Sequence, residues 1–162
     1  MEGDRRPFPQ LTPCPILPPG TRLASVDPAA ALWPLHAPVG IAHRGDTSAG
    51  APENTLTAFA AAREVGFTVV ETDVRASADG VAVLSHDDDL RRTTGREVRV
   101  GASPWSQLAE LRVRGTGGDD AVTAPLARLD EALTSFPTLT FNLDVNAEAA
   151  IGPVARAVVA AG

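Results

Sequence analysis

The chain has 162 residues, of which 44% are hydrophobic and 21% charged, a balance that is ordinary for one globular domain. Its 14 basic and 20 acidic residues give a net charge of -6, which argues against a binder of nucleic acid backbones. Every basic residue is an arginine, so no lysine is present to act as a Schiff-base nucleophile.

The one cysteine, Cys14, has no partner for an intramolecular disulfide, which is typical of proteins in a reducing compartment. Prolines interrupt the first 20 residues, and no apolar run is long enough for a signal peptide core or a membrane span. We therefore expect a cytoplasmic protein without a membrane span.

Residues 1–37 contain many prolines and show no helical or strand periodicity, so we expect a disordered N-terminal tail. From residue 38 to residue 162 the signals for strands and helices alternate. Such alternation predicts a single α/β domain built on a parallel sheet.

The first predicted strand covers residues 39–43, where apolar side chains alternate and His43 is the last residue. A helix follows, with Asn54 or Thr55 as its N-cap and Gly66 at its end. These two elements form the first strand and helix of the expected α/β domain.

Two more strands are predicted, over residues 67–75 and, after the turn at Asp79-Gly80, over residues 81–85. Their valine and threonine content is typical of strands. As members of the alternating pattern, both are expected to belong to the parallel sheet.

Ser103, followed by Pro104, is expected to cap a short helix that runs through Leu111. Apolar and polar residues then alternate over residues 139–145, which predicts a fourth strand, and a last helix leads to Gly162. The pattern therefore ends as it begins, with a strand and its helix.

Acidic residues lie on two of these strands. Glu71 and Asp73 are two residues apart, so both carboxylates leave the same face and can share a hard cation such as Mg²⁺ or Ca²⁺. Asp144 lies on the face of its strand that carries Asn142 and Asn146. On spacing alone, acids at strand ends are more commonly just solvated than bound to a metal.

Two histidines also end apolar strand runs, His43 in the first strand and His86 after the third. A histidine can give or take a proton near neutral pH, although either one alone is commonly a structural or surface residue. Parallel α/β barrels carry their catalytic residues at the carboxyl ends of strands, which favours a catalytic interpretation of the whole set.

The same residues lie within short motifs. In chain order these are His43-Arg44-Gly45, Pro52-Glu53-Asn54-Thr55-Leu56, Glu71-Thr72-Asp73-Val74, Asp79-Gly80, His86-Asp87 and Arg92-Thr93-Thr94-Gly95. From Val39 to about Asn146, their identity and order resemble the glycerophosphodiester phosphodiesterase family. The family's fold is a TIM barrel, and its members hydrolyse glycerophosphodiesters to an alcohol and a glycerol phosphate with the help of a divalent cation.

The resemblance implies a role for each matching residue. It implies that His43 and His86 are the catalytic acid and base, without saying which is which, and that Arg44 binds the substrate phosphate. The implied cation ligands, for Mg²⁺ or Ca²⁺, are Glu71, Asp73 and Asp144. Glu53 either supports this site from behind or complements the N-terminus of the following helix.

One position departs from the family pattern. Two residues after the acid matched by Asp144, the family usually has a substrate-binding lysine, whereas this chain has Asn146. A neutral amide cannot offset the charge of a phosphodiester, which predicts weak or absent activity. Alternatively, Asn146 simply caps the helix that begins at Ala147.

Length is the second departure, because a TIM barrel needs about 250 residues and roughly 125 remain after the tail. We therefore expect about the first half of a barrel, with open sheet edges through which chains could self-associate. A truncated, weak or inactive phosphodiesterase for small substrates is the main interpretation. The alternatives are an inactive fragment that keeps a metal or phosphate pocket, and a phospholipase D-type relative that acts on lipid headgroups.

Overall fold

The computed structural model describes residues 39–116 and 121–162, so the predictions for residues 1–37 lie outside the described part. The strands are β1 (Ile41–His43), β2 (Val69–Ala76), β3 (Ala82–Leu84), β4 (Arg112–Arg114), β5 (Thr123–Pro125) and β6 (Thr140–Val145). The helices are α1 (Leu56–Val65), α2 (Arg91–Thr94), α3 (Trp105–Leu108), α4 (Leu129–Ser135) and α5 (Ile151–Ala161).

The central sheet contains three parallel strands in the order β1-β2-β6, as the alternating pattern predicts. In this register His43 lies opposite Glu71, and Asp73 lies opposite Asp144. Since the strands are parallel, their carboxyl ends lie at one edge of the sheet, and the acidic residues of β2 and β6 are neighbours there.

The third predicted strand has the opposite direction to the one expected. β3 pairs antiparallel with the last three residues of β2. A hairpin joins them, in which the Ser77 N–H donates to the Val81 carbonyl oxygen at 3.0 Å and Gly80 adopts a φ of 79°. The loop is too short for the crossover that a parallel pair requires, a dozen or more residues.

Helix α1 begins and ends as its sequence predicts. The Thr55 hydroxyl accepts a hydrogen bond from the Ala58 N–H at 3.3 Å, which identifies Thr55 as the N-cap. Gly66 follows the helix in the left-handed conformation, with a φ of 102°, which a residue bearing a Cβ would adopt only under strain.

The main core lies between the sheet and helices α1, α4 and α5. Phe59 of α1 is fully buried there and makes edge-to-face contacts with Phe136 and Phe141, at centroid distances of 6.2 and 5.5 Å. Burying an aromatic side chain of this kind stabilises the fold by about 1.5–3 kcal/mol. A second apolar cluster, which includes Leu90, Val100 and Leu108, lies around β4 and the short helices.

Helix α3 is shorter than predicted and is capped differently. It begins at Trp105, whose N–H donates to Asp79 Oδ1 at 2.9 Å, so the cap comes from the β2–β3 hairpin rather than from Ser103. The helix ends at Leu108, before Leu111. The hairpin β4–β5 and helix α4 have no counterpart among the predicted elements.

Strand β6 and helix α5 match the last two predicted elements. A 3₁₀ turn, Glu148–Ala150, lies between them. Within residues 39–116 and 121–162, no helix is long and apolar enough to cross a membrane.

Candidate active site

The carboxylates of β2 and β6 converge. Glu71, Asp73 and Asp144 each offer an oxygen, and these oxygens lie within 4.8 Å of one another. The parallel register brings this about, since Asp73 and Asp144 are opposite each other and Glu71 shares the face of Asp73. The predicted convergence is therefore confirmed as geometry, while the identity of a bound ion stays a proposal.

A tight loop after β1 carries Arg44 to the cluster. Arg44 itself has a φ of 59°, and Gly45 after it has a φ of 84°. A Cβ at Gly45 would lie 2.6 Å from the Cβ of Ala58, so only glycine lets this loop approach α1 so closely. The backbone N–H of Arg44 donates to the carbonyl of Glu71 at 2.9 Å, which ties the loop to β2.

The Arg44 side chain lies among carboxylates. Its Nη1 donates to Glu53 Oε1 at 3.1 Å, and its Nε lies 3.2 Å from Asp73 Oδ2. The Nε–H does not point at that oxygen, however, and this buried nitrogen has no hydrogen-bond partner among the described residues. Buried donors of this kind are rare and call for an explanation such as an absent ligand.

Among the site residues, Asn54 has the role that is hardest to infer from the sequence. It is buried with a φ of 55°, a left-handed conformation that asparagine tolerates better than most residues. Its Nδ2 donates to Asp73 Oδ2 at 3.0 Å, and its Oδ1 accepts from the Thr72 hydroxyl at 2.7 Å. Asn54 therefore orients Asp73 instead of capping α1, and its position within the family-like motif is the only sequence signal for this role.

Asn146 hydrogen-bonds to the other oxygen of the Asp73 carboxylate. Its Nδ2 donates to Asp73 Oδ1 at 2.7 Å. The helix-cap alternative is wrong, because the N-cap of α5 is Ala150 and the 3₁₀ turn begins after Ala147 with no side-chain cap. The amide that replaces the family's lysine thus lies at the acidic cluster.

The two histidines lie on different elements. His43 ends β1, and its Nε2 lies 3.9 Å from Glu71 Oε2, with 73% of the side chain exposed. His86 follows β3, which turns back along β2, so it reaches the site from an antiparallel strand and not from a parallel one as predicted. Arg75 Nε donates to the His86 carbonyl at 2.8 Å and fixes its backbone.

Glu53 forms ion pairs with two arginines, Arg44 and Arg92. It accepts hydrogen bonds from Arg44 and, through both of its oxygens, from Arg92 Nη1 and Nη2 at 3.0 and 2.7 Å. The hydrogen bond from Arg92 is the main reason that the pKa of Glu53 lies below its usual value, although burial opposes the shift. Glu53 precedes the first turn of α1, which contains no acidic residue.

One surface pocket of the described residues does not coincide with this chemistry. It has a volume of about 400 Å³ and lies at the amino ends of β1 and β2, lined by Val39, Val65 and Phe67 among others. The acidic cluster lies level with the carboxyl ends of β1 and β6, where Glu71 is opposite His43 and Asp73 is opposite Asp144. His86, Glu53 and Asn54 line a much smaller cleft. Catalytic groups of parallel α/β folds lie at the carboxyl ends, so we assign the site there.

The donor set fits a divalent cation. Three carboxylates this close repel one another unless a positive charge is shared among them. Arg44 supplies only part of that charge, because its guanidinium is also paired with Glu53. Carboxylate oxygens are the ligands that Mg²⁺ and Ca²⁺ prefer.

The parallel β/α order, with acids and histidines near the carboxyl ends of strands, is typical of the TIM-barrel class. A family model for the glycerophosphoryl diester phosphodiesterase family matches residues 43–158. The chain belongs to this family.

Named relatives and solved structures agree with that assignment. The chain is 35% identical over 120 residues to "Probable glycerophosphodiester phosphodiesterase 2" of Mycobacterium tuberculosis, which covers 74% of this chain and 43% of that protein. It is 34% identical over 116 residues to human "Glycerophosphodiester phosphodiesterase 1", covering 68% and 35%. A phosphodiesterase of Oleispira antarctica, solved in complex with its product sn-glycerol-3-phosphate, is 32% identical with a TM-score of 0.66, covering 75% and 52%.

The chain thus spans about half the length of these relatives or less. The three parallel strands described here correspond to part of an eight-stranded barrel.

Proposed function

We propose that this chain carries the metal- and phosphate-binding part of a glycerophosphodiester phosphodiesterase site. The observation that carries the proposal is the convergence of Glu71, Asp73 and Asp144 within 4.8 Å at the carboxyl edge of the sheet. The substrate would be a small phosphodiester, and the products an alcohol and a glycerol phosphate. The product bound to the Oleispira antarctica relative supports that assignment.

A divalent cation, Mg²⁺ or Ca²⁺, held by these three carboxylates would polarise the phosphoryl oxygens. Arg44 would bind the phosphate through its guanidinium, and the unpaired Nε–H supports this role, since it is a buried donor that an anionic oxygen could satisfy. Because Nε lies 3.2 Å from Asp73 Oδ2 without a hydrogen bond to it, the guanidinium would have to move away from that carboxylate to place its Nε–H on a phosphate oxygen.

His43 and His86 would divide the proton transfers. One takes the proton of the attacking hydroxyl as its oxygen forms a bond to phosphorus, and the other gives a proton to the alkoxide as the second P–O bond breaks. The attacking group is either water or a neighbouring hydroxyl of the substrate. The assignment of acid and base to the two rings stays open.

Activity of the chain alone is expected to be weak or absent, because Asn146 lies where the resemblance implies a lysine and the chain spans about half of its structural relatives. The same observations favour the second candidate function, a non-catalytic domain that binds a cation or phosphate. A phospholipase D-type activity on lipid headgroups is the third candidate, and a 30% identical human relative is named "Lysophospholipase D GDPD1". A cytoplasmic location stays part of the proposal, on the evidence of the single cysteine.

The function is tested by a coupled assay on glycerophosphocholine with Mg²⁺ or Ca²⁺. Two proteins are compared: the chain alone, and a completed chimera in which the remaining barrel strands come from the Mycobacterium tuberculosis relative. We expect turnover from the chimera that is lost with a chelator and regained with either cation. A folded chimera that binds the cation but never turns over would support the non-catalytic function.

Asn146→Lys is expected to raise kcat/KM of the completed chimera by about tenfold or more, since about 1.4 kcal/mol of transition-state stabilisation suffices for that factor. The amide nitrogen lies 2.7 Å from Asp73 Oδ1, so an ammonium group in its place would add positive charge beside the carboxylates and the phosphate. Asn146→Gln is the control, because it lengthens the side chain without adding charge. Equal kinetics for the lysine and glutamine variants would contradict the proposed loss.

A further inference from the structure

One of the two ring nitrogens of His86 is hydrogen-bonded to the carboxylate of Asp87. The His86 Nδ1 and Asp87 Oδ1 lie 2.7 Å apart, although the residues are adjacent in the chain. Asp87 is ionised at neutral pH: burial opposes its ionisation, but the hydrogen bonds from His86 and Arg92 outweigh burial and hold the pKa of the carboxyl below its usual value. An ionised carboxylate can only accept, so the proton of this hydrogen bond belongs to Nδ1.

The carboxylate is itself held from behind. Arg92 Nε donates to Asp87 Oδ2 at 2.6 Å, while the two terminal nitrogens of Arg92 bind both oxygens of Glu53. Glu53 in turn binds Arg44. A single ion pair on a surface contributes little to stability. Here, however, Asp87 is bound by both His86 and Arg92, and Arg92 is bound in turn by Glu53, so these contacts together give the Asp87 side chain one orientation.

We propose that Asp87 is a positioning residue that fixes the tautomer of His86, with Arg92 holding Asp87 in place, so that His86 exchanges protons with substrate through Nε2. In the neutral ring Nδ1 carries the hydrogen and Nε2 is the free base. In the protonated ring Nε2–H is the donor. Among the described residues, His43 has no such hydrogen bond to a carboxylate, and its Nε2 lies 3.9 Å from Glu71 Oε2.

The charged groups around His86 come from four segments: Asp87 beside it, Arg92 on α2, Glu53 before α1, and Arg75 on β2, which binds the carbonyl oxygen of His86 and not its ring. Only Asp87 among them contacts a ring nitrogen. The inference rests on the proposed proton-transfer role of His86, but its test observes the ring itself and requires no turnover.

The test is a long-range ¹H–¹⁵N spectrum of the histidine rings in the 162-residue chain, recorded at rising pH until the signals stop changing. The chain has three histidines, so His86→Gln identifies the signals of His86. We expect wild-type His86 to show one neutral tautomer with the hydrogen on Nδ1. A hydrogen on Nε2 in the wild type would overturn the proposal, whatever the variants do.

Asp87→Asn provides the second measurement. The amide can accept from Nδ1–H through its oxygen or donate to Nδ1 through its nitrogen, so the single tautomer should give way to a mixture with the hydrogen on Nε2. Asp89→Asn is the matched control, since it removes the same charge two residues away, where the carboxylate accepts from the Arg91 N–H. Arg92→Gln should also give a mixture of His86 tautomers, with a smaller share of the hydrogen on Nε2 than in Asp87→Asn. An unchanged His86 spectrum in Asp87→Asn would contradict the positioning role.

Discussion

His86→Ala in the completed chimera is expected to lower kcat/KM by about 10²–10⁴-fold, the usual effect of removing a positioned general acid or base. His43→Ala should have an effect of the same order, because each ring serves a different oxygen of the phosphodiester. Initial rates of glycerophosphocholine hydrolysis at saturating cation measure both.

Stability should hardly change in either variant. The side chains of His43 and His86 are 73% and 46% exposed, and substitutions at such positions are usually within about 0.5 kcal/mol. Thermal unfolding of the same proteins therefore separates lost chemistry from lost folding. His36→Ala is the control, because the proposal gives the third histidine no role. If the His86→Ala enzyme is active, His86 has no part in the mechanism. That outcome would not contradict the proposed cation site.

Much of the fold follows from local sequence signals. The Thr55 cap and the left-handed Gly66 act within one turn of α1, so the sequence nearby determines both ends of that helix. Alternation of apolar residues likewise reveals β6, because Phe141 and Leu143 lie on one face and pack against the core. It also reveals β1, but there the alternating Ile41 is exposed and Ala42 on the other face is buried.

The direction of β3 was predicted wrongly although the sequence contains the relevant signal. Apolar alternation gives a strand's existence but not its direction, which depends on the connection. Only a short hairpin around Asp79-Gly80 joins β2 to β3, and a connection of this length is compatible with an antiparallel pair alone. The cap of α3 shows another limit, since Asp79 acts from 26 residues away.

The site is predictable in part for a physical reason. Parallel pairing and side-chain parity bring Glu71, Asp73 and Asp144 together, and both properties can be inferred from sequence. The hydrogen bonds that orient Asp73 cannot be inferred in this way, because they join residues 19 and 73 positions apart through specific side-chain geometry. Asn54 and Asn146 therefore acquire their observed roles only in the folded structure.

Asp73→Ala is expected to cost about 2–4 kcal/mol of unfolding free energy, whereas Asp144→Ala should change it by no more than about 0.5 kcal/mol. Asp73 is buried, and each of its oxygens accepts a hydrogen bond from an amide, Asn54 on one side and Asn146 on the other. Its removal leaves both donors without their acceptor and Arg44 with one carboxylate fewer. Asp144 is exposed, so its loss leaves no such group buried.

Both substitutions should nevertheless weaken Mg²⁺ or Ca²⁺ binding by about tenfold or more, a factor that about 1.4 kcal/mol of lost coordination already produces. Urea unfolding without cation measures the change in unfolding free energy. Titration calorimetry on the same proteins measures the change in cation affinity. Asp130→Ala is the control for charge, since this carboxylate pairs with Arg128 away from the cluster. Cation affinity that survives in Asp144→Ala would exclude Asp144 as a ligand. Equal stability losses in the two variants would contradict the special role of the two amides, and a gain in stability on removing Asp73 would show that repulsion among the three carboxylates outweighs its hydrogen bonds.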